Sequence, residues 1–253
     1  MMVPPVPGRP RSHSAGFGRR DLHVWKADLD ASPGRLARFE QTLGPDERAR
    51  IGRLRAEADR RRATASRGLL RHVLSEYAGI PAAELRFAYG PAGKPELTES
   101  ADGASLYFNT AHSGDVLLVA VGRASLGVDV ERVRPIARWE RVARRAFSEN
   151  EMRQIQALPP ELRSEAFITC WTRKEACVKA VGEGVWSAFG RFEVSVTPGQ
   201  PAKVLSVDGA PALAADWSLY HLELVPHFVG ALAIRGTGWQ LRVSTLRPAE
   251  ART

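Results

Sequence analysis

The order of helix and strand signals occurs twice along this chain, and that repetition narrows the open folds more than any other feature. In the first copy Ala63, Ser66, Leu69, Leu70, Val73, Leu74 and Tyr77 follow the i, i+3, i+4 spacing of an amphipathic helix, and Gly79 stops it. In the second, Phe167, Cys170, Trp171, Cys177, Val178 and Val181 do the same, ended by Gly182 and Gly184. Each helix leads into a short strand candidate, at 85–89 and 192–196. A Pro/Gly-rich loop and two more strand candidates follow in each copy, 105–109 with 116–121 and 219–224 with 229–234. Strand runs beside one helix predict an α+β fold in which a helix covers an antiparallel sheet. Two copies predict similar halves related by a pseudo-twofold axis, 21–125 and 126–253, meeting near 123–126. Residues 1–20 read as a flexible lead-in. A cleft between halves is a common place for a small-molecule site.

At 253 residues the chain can bury a substantial core, and 44% apolar with 25% charged residues excludes a disordered or fibrous chain. The longest apolar runs, 116–121 and 228–234, fall far short of the roughly 20 residues that cross a bilayer. The Pro/Gly/Ser/Arg-rich start has no apolar core, so it does not read as a secretory signal. Cys170 and Cys177, the only cysteines, sit on one predicted helix where they cannot bridge. A reducing cytoplasm is the expected setting.

The formal charge of +8 is not spread evenly at short range. Residues 48–71 carry nine Arg against Glu57 and Asp59. Nucleic acid, a phosphorylated ligand or an acidic protein surface would each suit such a stretch, as would a solvated helix face. Interleaved aromatic residues for base stacking are missing there, and no zinc-finger or RNP-like motif occurs, which disfavours nucleic acid.

The segment 126–133 alternates Val128 and Val130 with Asp129 and Glu131, so a strand here sets both carboxylates on one face. Two such acids repel unless a cation sits between them or water solvates both. On the second helix, Trp171, Glu175 and Lys179 lie along one stripe at i, i+4, i+8. A surface Glu–Lys pair would satisfy that pattern. A third carboxylate and an ammonium brought to Asp129 and Glu131 would instead suit Mg2+ and a pyrophosphate. Zinc is disfavoured, because the donors are oxygens and no Cys/His cluster exists.

Gly127-Val-Asp-Val-Glu131, followed by Trp171-Thr-Arg-Lys-Glu-Ala-Cys-Val-Lys179, resembles the signature pair of the 4′-phosphopantetheinyl transferases. The likeness is to the large, pseudo-dimeric kind that activates peptide synthetases and polyketide synthases. Further stretches agree in order between about 45 and 196: the basic helix across Arg48 and Arg71, Gly93-Lys-Pro95, Phe108-Asn-Thr-Ala-His-Ser-Gly114, and Ala146-Phe-Ser-x-x-Glu151. The last also reads independently as a capping box, Ser148 with Glu151.

The resemblance implies transfer of the phosphopantetheine arm of coenzyme A to a serine of an apo carrier protein, releasing 3′,5′-ADP. It implies Mg2+, with Mn2+ as a substitute, on Asp129, Glu131 and Glu175. Glu175 is then either a third ligand or the general base, and Lys179 meets the pyrophosphate. His112 and Ser113 fall to coenzyme A, and Lys94 and Pro95 to the loop approaching its nucleotide. Arg50 and Arg67 become candidates for the 3′-phosphate, with Arg48 and Arg62 as substitutes, since an Arg fork can hold two phosphate oxygens. Ala111 stands where the family usually has Ser, and Glu47 where relatives often have a basic residue. Expected partners are carrier domains of peptide, polyketide or fatty-acid synthases, with Arg138, Arg141, Arg144 and Arg145 as candidates for steering them, a solvated helix face being the alternative. A monomer would hold the whole site. Two other readings stay open: a basic binding module for nucleic acid or acidic protein, and a non-catalytic relative that binds coenzyme A.

Overall fold

A computed structural model describes residues 17–91, 93–101, 103–182 and 188–246. Residues 1–16 and Gly184 lie outside it, so neither the bulk of the expected lead-in nor the second helix-stop glycine is described.

The chain runs β1 (Asp21–Asp28), α1 (Pro33–Thr42), α2 (Pro45–Gly52), α3 (Glu57–Ala78), β2 (Phe87–Tyr89), β3 (Pro95–Leu97), β4 (Tyr107–Ser113) and β5 (Val116–Gly122). It continues through β6 (Leu126–Arg132), α4 (Trp139–Ala146), α5 (Glu149–Ala157), α6 (Pro160–Val181), β7 (Phe192–Val194) and β8 (Val204–Val207). A one-turn helix α7 (Pro211–Ala214), β9 (Trp217–Leu222), β10 (Phe228–Arg235) and β11 (Gln240–Thr245) complete it. The fold is α+β, and the repeated order is longer than its sequence signal. Among the described residues, one strand, three helices and four strands occur in β1–β5, and the same order recurs in β6–β10 with α7 and a short 3-10 turn at Phe189–Arg191 inserted.

Several elements depart from the sequence reading. The small strands β3 and β8 pair antiparallel with β2 and β7, inside stretches that composition marks as loops. Strand β4 starts at Tyr107 and continues to Ser113, through the whole 109–113 motif. The basic stretch 48–71 is not one helix: α2 ends at Gly52 and α3 starts at Glu57. The two long helices do end where glycine predicts, since Gly79 and Gly182 take left-handed φ of 67° and 79°.

Two principal sheets form, ordered β11-β1-β5-β4 and β6-β10-β9. All pairings are antiparallel except β1 with β11, so the last strand returns to the sheet of the first. Three apolar clusters hold the layers. Leu69, Leu70, Val73, Leu74 and Tyr77 of α3 pack on Leu117, Val119 and Val121 of β5. Cys170, Cys177 and Val178 of α6 pack on Val229, Ala231 and Ala233 of β10. Between the sheets, Leu22, Val24, Leu118 and Ala120 meet Val128, Val130, Leu232 and Ile234. Strand β5 is thus covered on both faces, which is why it reads as a continuous apolar run rather than an alternation. Both cysteines are free and buried. Among the described residues no helix is long and apolar enough to cross a membrane.

Candidate active site

The site starts from a glycine. A Cβ on Gly127 would collide with the Ala176 carbonyl and the Ala180 amide of α6, and it would lie 2.7 Å from Lys179 Cβ. Only glycine therefore lets α6 lie this close to β6. The same strand face then carries Asp129 and Glu131 beneath the helix. Within the last three turns of α6, Trp171, Glu175 and Lys179 are partly exposed while all intervening residues from Thr172 to Val178 except Glu175 are buried. Helix and strand thus present their polar stripes to each other.

Lys179 Nζ donates to Asp129 Oδ1 at 2.7 Å. Asp129 is only 5% exposed, and its Oδ2 is buried without a hydrogen-bond partner. Burial pushes the Asp129 carboxyl up to about 7; Lys179 opposes that shift, while Glu175 and Glu131 add to it. Burial also raises the Glu175 pKa, with Lys179 opposing and Glu131 reinforcing. Three carboxylates and one ammonium therefore share one electrostatic field. They do not form a closed ligand set in this arrangement: among the described residues no three His, Cys, Asp or Glu side chains are grouped to hold a metal ion.

The rest of the Trp171–Lys179 motif anchors α6 rather than facing the acids. Trp171 packs on Phe189, with ring centroids 4.8 Å apart. Arg173 donates to the Ser195 carbonyl and hydroxyl and to the Gln200 carbonyl. Lys174, 0% exposed, donates to Glu151 Oε2 and to the Phe192 carbonyl, each at 2.7 Å. Glu151, equally buried, also accepts the amides of Ser148 and Val194, so the capping box of α5 doubles as the socket for Lys174. Helical spacing placed these residues on α6, but their partners lie on elements that no local pattern connects.

Two family models match this chain, "4'-phosphopantetheinyl transferase, N-terminal" over residues 29–123 and "4'-phosphopantetheinyl transferase superfamily" over 125–233. The 4′-phosphopantetheinyl transferase HetI of Nostoc sp. is 38% identical over 87% of this chain and 90% of its own. This chain belongs to the 4′-phosphopantetheinyl transferase family. The putative transferase slr0495 of Synechocystis sp. is 34% identical over 64% of this chain and 65% of its own. The transferase psf-1 of Bacillus pumilus is 29% identical over 81% and 80%.

Elsewhere on this transferase the other expected site residues occupy distinct surroundings. Arg67 reaches Glu47 at 3.0 Å and donates to the Tyr89 hydroxyl at 2.8 Å, while Arg50 lies over the Tyr89 ring. Arg62 is paired with Asp115 at 2.7 Å, in the β4–β5 turn. Arg48 lies apart from these, donating to the Glu40 and Gln41 carbonyls at the end of α1. Glu47, the residue at odds with the family pattern, is buried. It accepts Arg71 at 2.7 Å and the Gly44 amide at 2.8 Å, which ties α2 to α3. Arg71 itself is buried and also donates to the Ala82 and Leu85 carbonyls.

Lys94 has an engaged ammonium. It donates to the Lys179 carbonyl at 2.7 Å, the Leu126 carbonyl at 3.0 Å and the Ser125 hydroxyl at 3.3 Å. The lysine thus tethers the β2–β3 hairpin to the carbonyl end of α6, and burial lowers its pKa to about 8. Pro95 begins β3 and, with Lys94, Tyr107, Ser125 and Gly182, lines a cavity of about 640 Å³. On β4 the pleat divides the motif. His112 is exposed, Ala111 fills the core between the sheets, and Asn109 and Ser113 reach across to β6. Asn109 was not singled out by its sequence context, because its partner is a backbone amide 19 residues away.

Proposed function

We propose that this 4′-phosphopantetheinyl transferase moves the phosphopantetheine arm of coenzyme A to a serine of an apo carrier protein. The gathering of Asp129, Glu131, Glu175 and Lys179 across Gly127 carries the reading. In the reaction the serine oxygen bonds to the phosphorus of the pantetheine phosphate. The bridging P–O bond breaks, and 3′,5′-ADP leaves with the electron pair.

The residues fit a hard divalent cation: all three candidates donate oxygen, Glu131 and Glu175 both raise the Asp129 pKa, and Asp129 Oδ2 is buried and unpartnered. Asp129, Glu131 and Glu175 would hold Mg2+, or Mn2+ in its place. Bound there, such a cation supplies charge stabilisation at the phosphoryl oxygens. Held off the cation instead, Glu175, partly exposed and with its pKa raised by burial, is suited to take the serine proton as general base. Lys179 is suited to meet the charge growing on the leaving pyrophosphate oxygen. Arg50, Arg67 and Arg62 around Tyr89 and Asp115, with His112, form the candidate surface for the 3′-phosphate. Lys94 serves by holding α6, since its donors are already used.

The halves 21–125 and 126–253, related by a pseudo-twofold axis with the site in the cleft between them, are our reading of the repeated element order. The family-model boundary near residue 124 supports it. The exposed Arg138, Arg141, Arg144 and Arg145 around α4 suit an acidic carrier surface from a peptide, polyketide or fatty-acid synthase. With both halves in one chain, we propose a cytoplasmic monomer.

Intact-protein mass spectrometry of an apo carrier incubated with coenzyme A tests the reading. A gain of one phosphopantetheine arm with Mg2+, lost with chelator and lost in Asp129→Ala, is expected. No gain with several carriers would refute it.

A further inference from the structure

Among the described residues strand β6 ends its sheet, pairing with β10 on one side only, so its outer edge leaves amides that need partners. The β4 strand of the other sheet supplies them with side chains. Asn109 Oδ1 accepts the Val128 amide at 2.9 Å, and Ser113 Oγ accepts the Arg132 amide at 3.1 Å. The acceptors are four residues apart on β4 and so are the donors on β6. Two side chains thus replace a strand, and they bracket Asp129 and Glu131. Ser113 does more: while accepting from Arg132, its hydroxyl donates to Glu131 Oε2 at 3.0 Å. The amide of Arg132 holds the hydroxyl oxygen, and the remaining proton is aimed at the carboxylate.

We propose that Ser113 is a positioning residue for Glu131, with Asn109 fixing the same strand four residues earlier. The hydroxyl selects one orientation of the Glu131 carboxylate and occupies one oxygen, so that the other faces the shared site. This deepens the transferase reading and rests on its assignment of Glu131 to the cation. It also assigns to Ser113 a task inside the protein, where the family resemblance alone points to coenzyme A. Because Ser113 belongs to the first sheet and Glu131 to the second, the acid is oriented by the opposite layer of the molecule.

The test is Mn2+ binding to the full chain with coenzyme A and no carrier, followed by electron paramagnetic resonance of the free ion. Partners of metal-ligating groups typically carry 10–100-fold in affinity. Ser113→Ala is therefore expected to raise the half-saturating Mn2+ concentration about tenfold. Ser113→Thr, which keeps the hydroxyl, is expected to restore it. Melting in chelator reads folding separately, and Ser113→Cys repeats the comparison if the alanine variant melts too early. Equal half-saturation for wild type and Ser113→Ala would overturn the proposal alone. So would a threonine variant as weak as the alanine one. A wild type that binds no Mn2+ would overturn the cation assignment together with it.

Discussion

Lys179 on α6 donates a 2.7 Å hydrogen bond to Asp129 on β6, and this one contact joins the two signature motifs of the chain. The pair is asymmetric: Lys179 keeps part of its surface in solvent, while Asp129 is almost wholly buried. Burial raises the Asp129 pKa and Lys179 limits that rise. A carboxylate held beside its ammonium, with one oxygen left over, is poised to exchange part of that pairing for a ligand.

Asp129→Asn should therefore abolish transfer without unfolding the protein. We expect carrier modification to fall by at least about a thousandfold, on the scale of removing electrostatic stabilisation of a transition state. Initial rates by mass spectrometry, with circular dichroism to report folding, check this.

Glu175→Gln separates chemistry from binding. It keeps shape and hydrogen bonding but cannot take a proton, so turnover should fall about a hundredfold or more while coenzyme A binding persists. A near wild-type rate would remove Glu175 from both of its proposed roles.

Gly127→Ala tests the close approach of α6 to β6. The added methyl meets backbone atoms of Ala176 and Ala180, so the helix must shift. Overpacking of this kind costs about 1–3 kcal/mol. Urea denaturation should show that loss, and transfer should fall more than the stability change alone explains.

The buried Lys174–Glu151 pair should behave as an all-or-nothing unit. Lys174→Met leaves Glu151 charged and uncompensated in the core and should cost about 3–5 kcal/mol. Adding Glu151→Gln to Lys174→Met should recover part of it, because neither position then carries a charge. Chemical denaturation of the two single variants and the double variant measures the coupling.

Lys94 predicts a pH dependence. Burial lowers its pKa to about 8 from its ordinary value of 10.5. Below pH 8 both folded and unfolded states are protonated, and folding bears the full cost of the buried ammonium. From about 8 to 10.5 the unfolded state binds the proton and the folded state does not, so the Lys94 contribution to stability rises with pH. Above 10.5 it levels off. The stability of wild type minus Lys94→Met, from denaturation at several pH values, should rise across this window. A flat difference would contradict the assignment.

Local signals in the sequence located much of the frame. Apolar spacing placed the long helices, and glycine marked their ends at Gly79 and Gly182. The valine–acid alternation fixed which face of β6 bears Asp129 and Glu131, and the i, i+4 stripe set Glu175 in line with Lys179. These are properties of one turn or one pleat, so a short window contains all the information they need.

What joins distant segments was not legible in that way. Nothing near Asn109 or Ser113 announces the amides and the carboxylate they meet on β6. Glu47 reads as a departure from a basic position until burial shows it holding Arg71. Lys94, expected at the nucleotide, donates to the Lys179 carbonyl near the end of α6 and to the Leu126 carbonyl at the start of β6. The small strands β3 and β8, and the return of β11 to the first sheet, likewise depend on a partner strand. The sequence by itself determined which residue types could do phosphoryl chemistry and on which local faces they lie. Only the tertiary structure decided which of those charges meet, because a buried ion pair or hydrogen bond is chosen by whichever partner the packing leaves within about 3 Å, wherever in the chain it comes from.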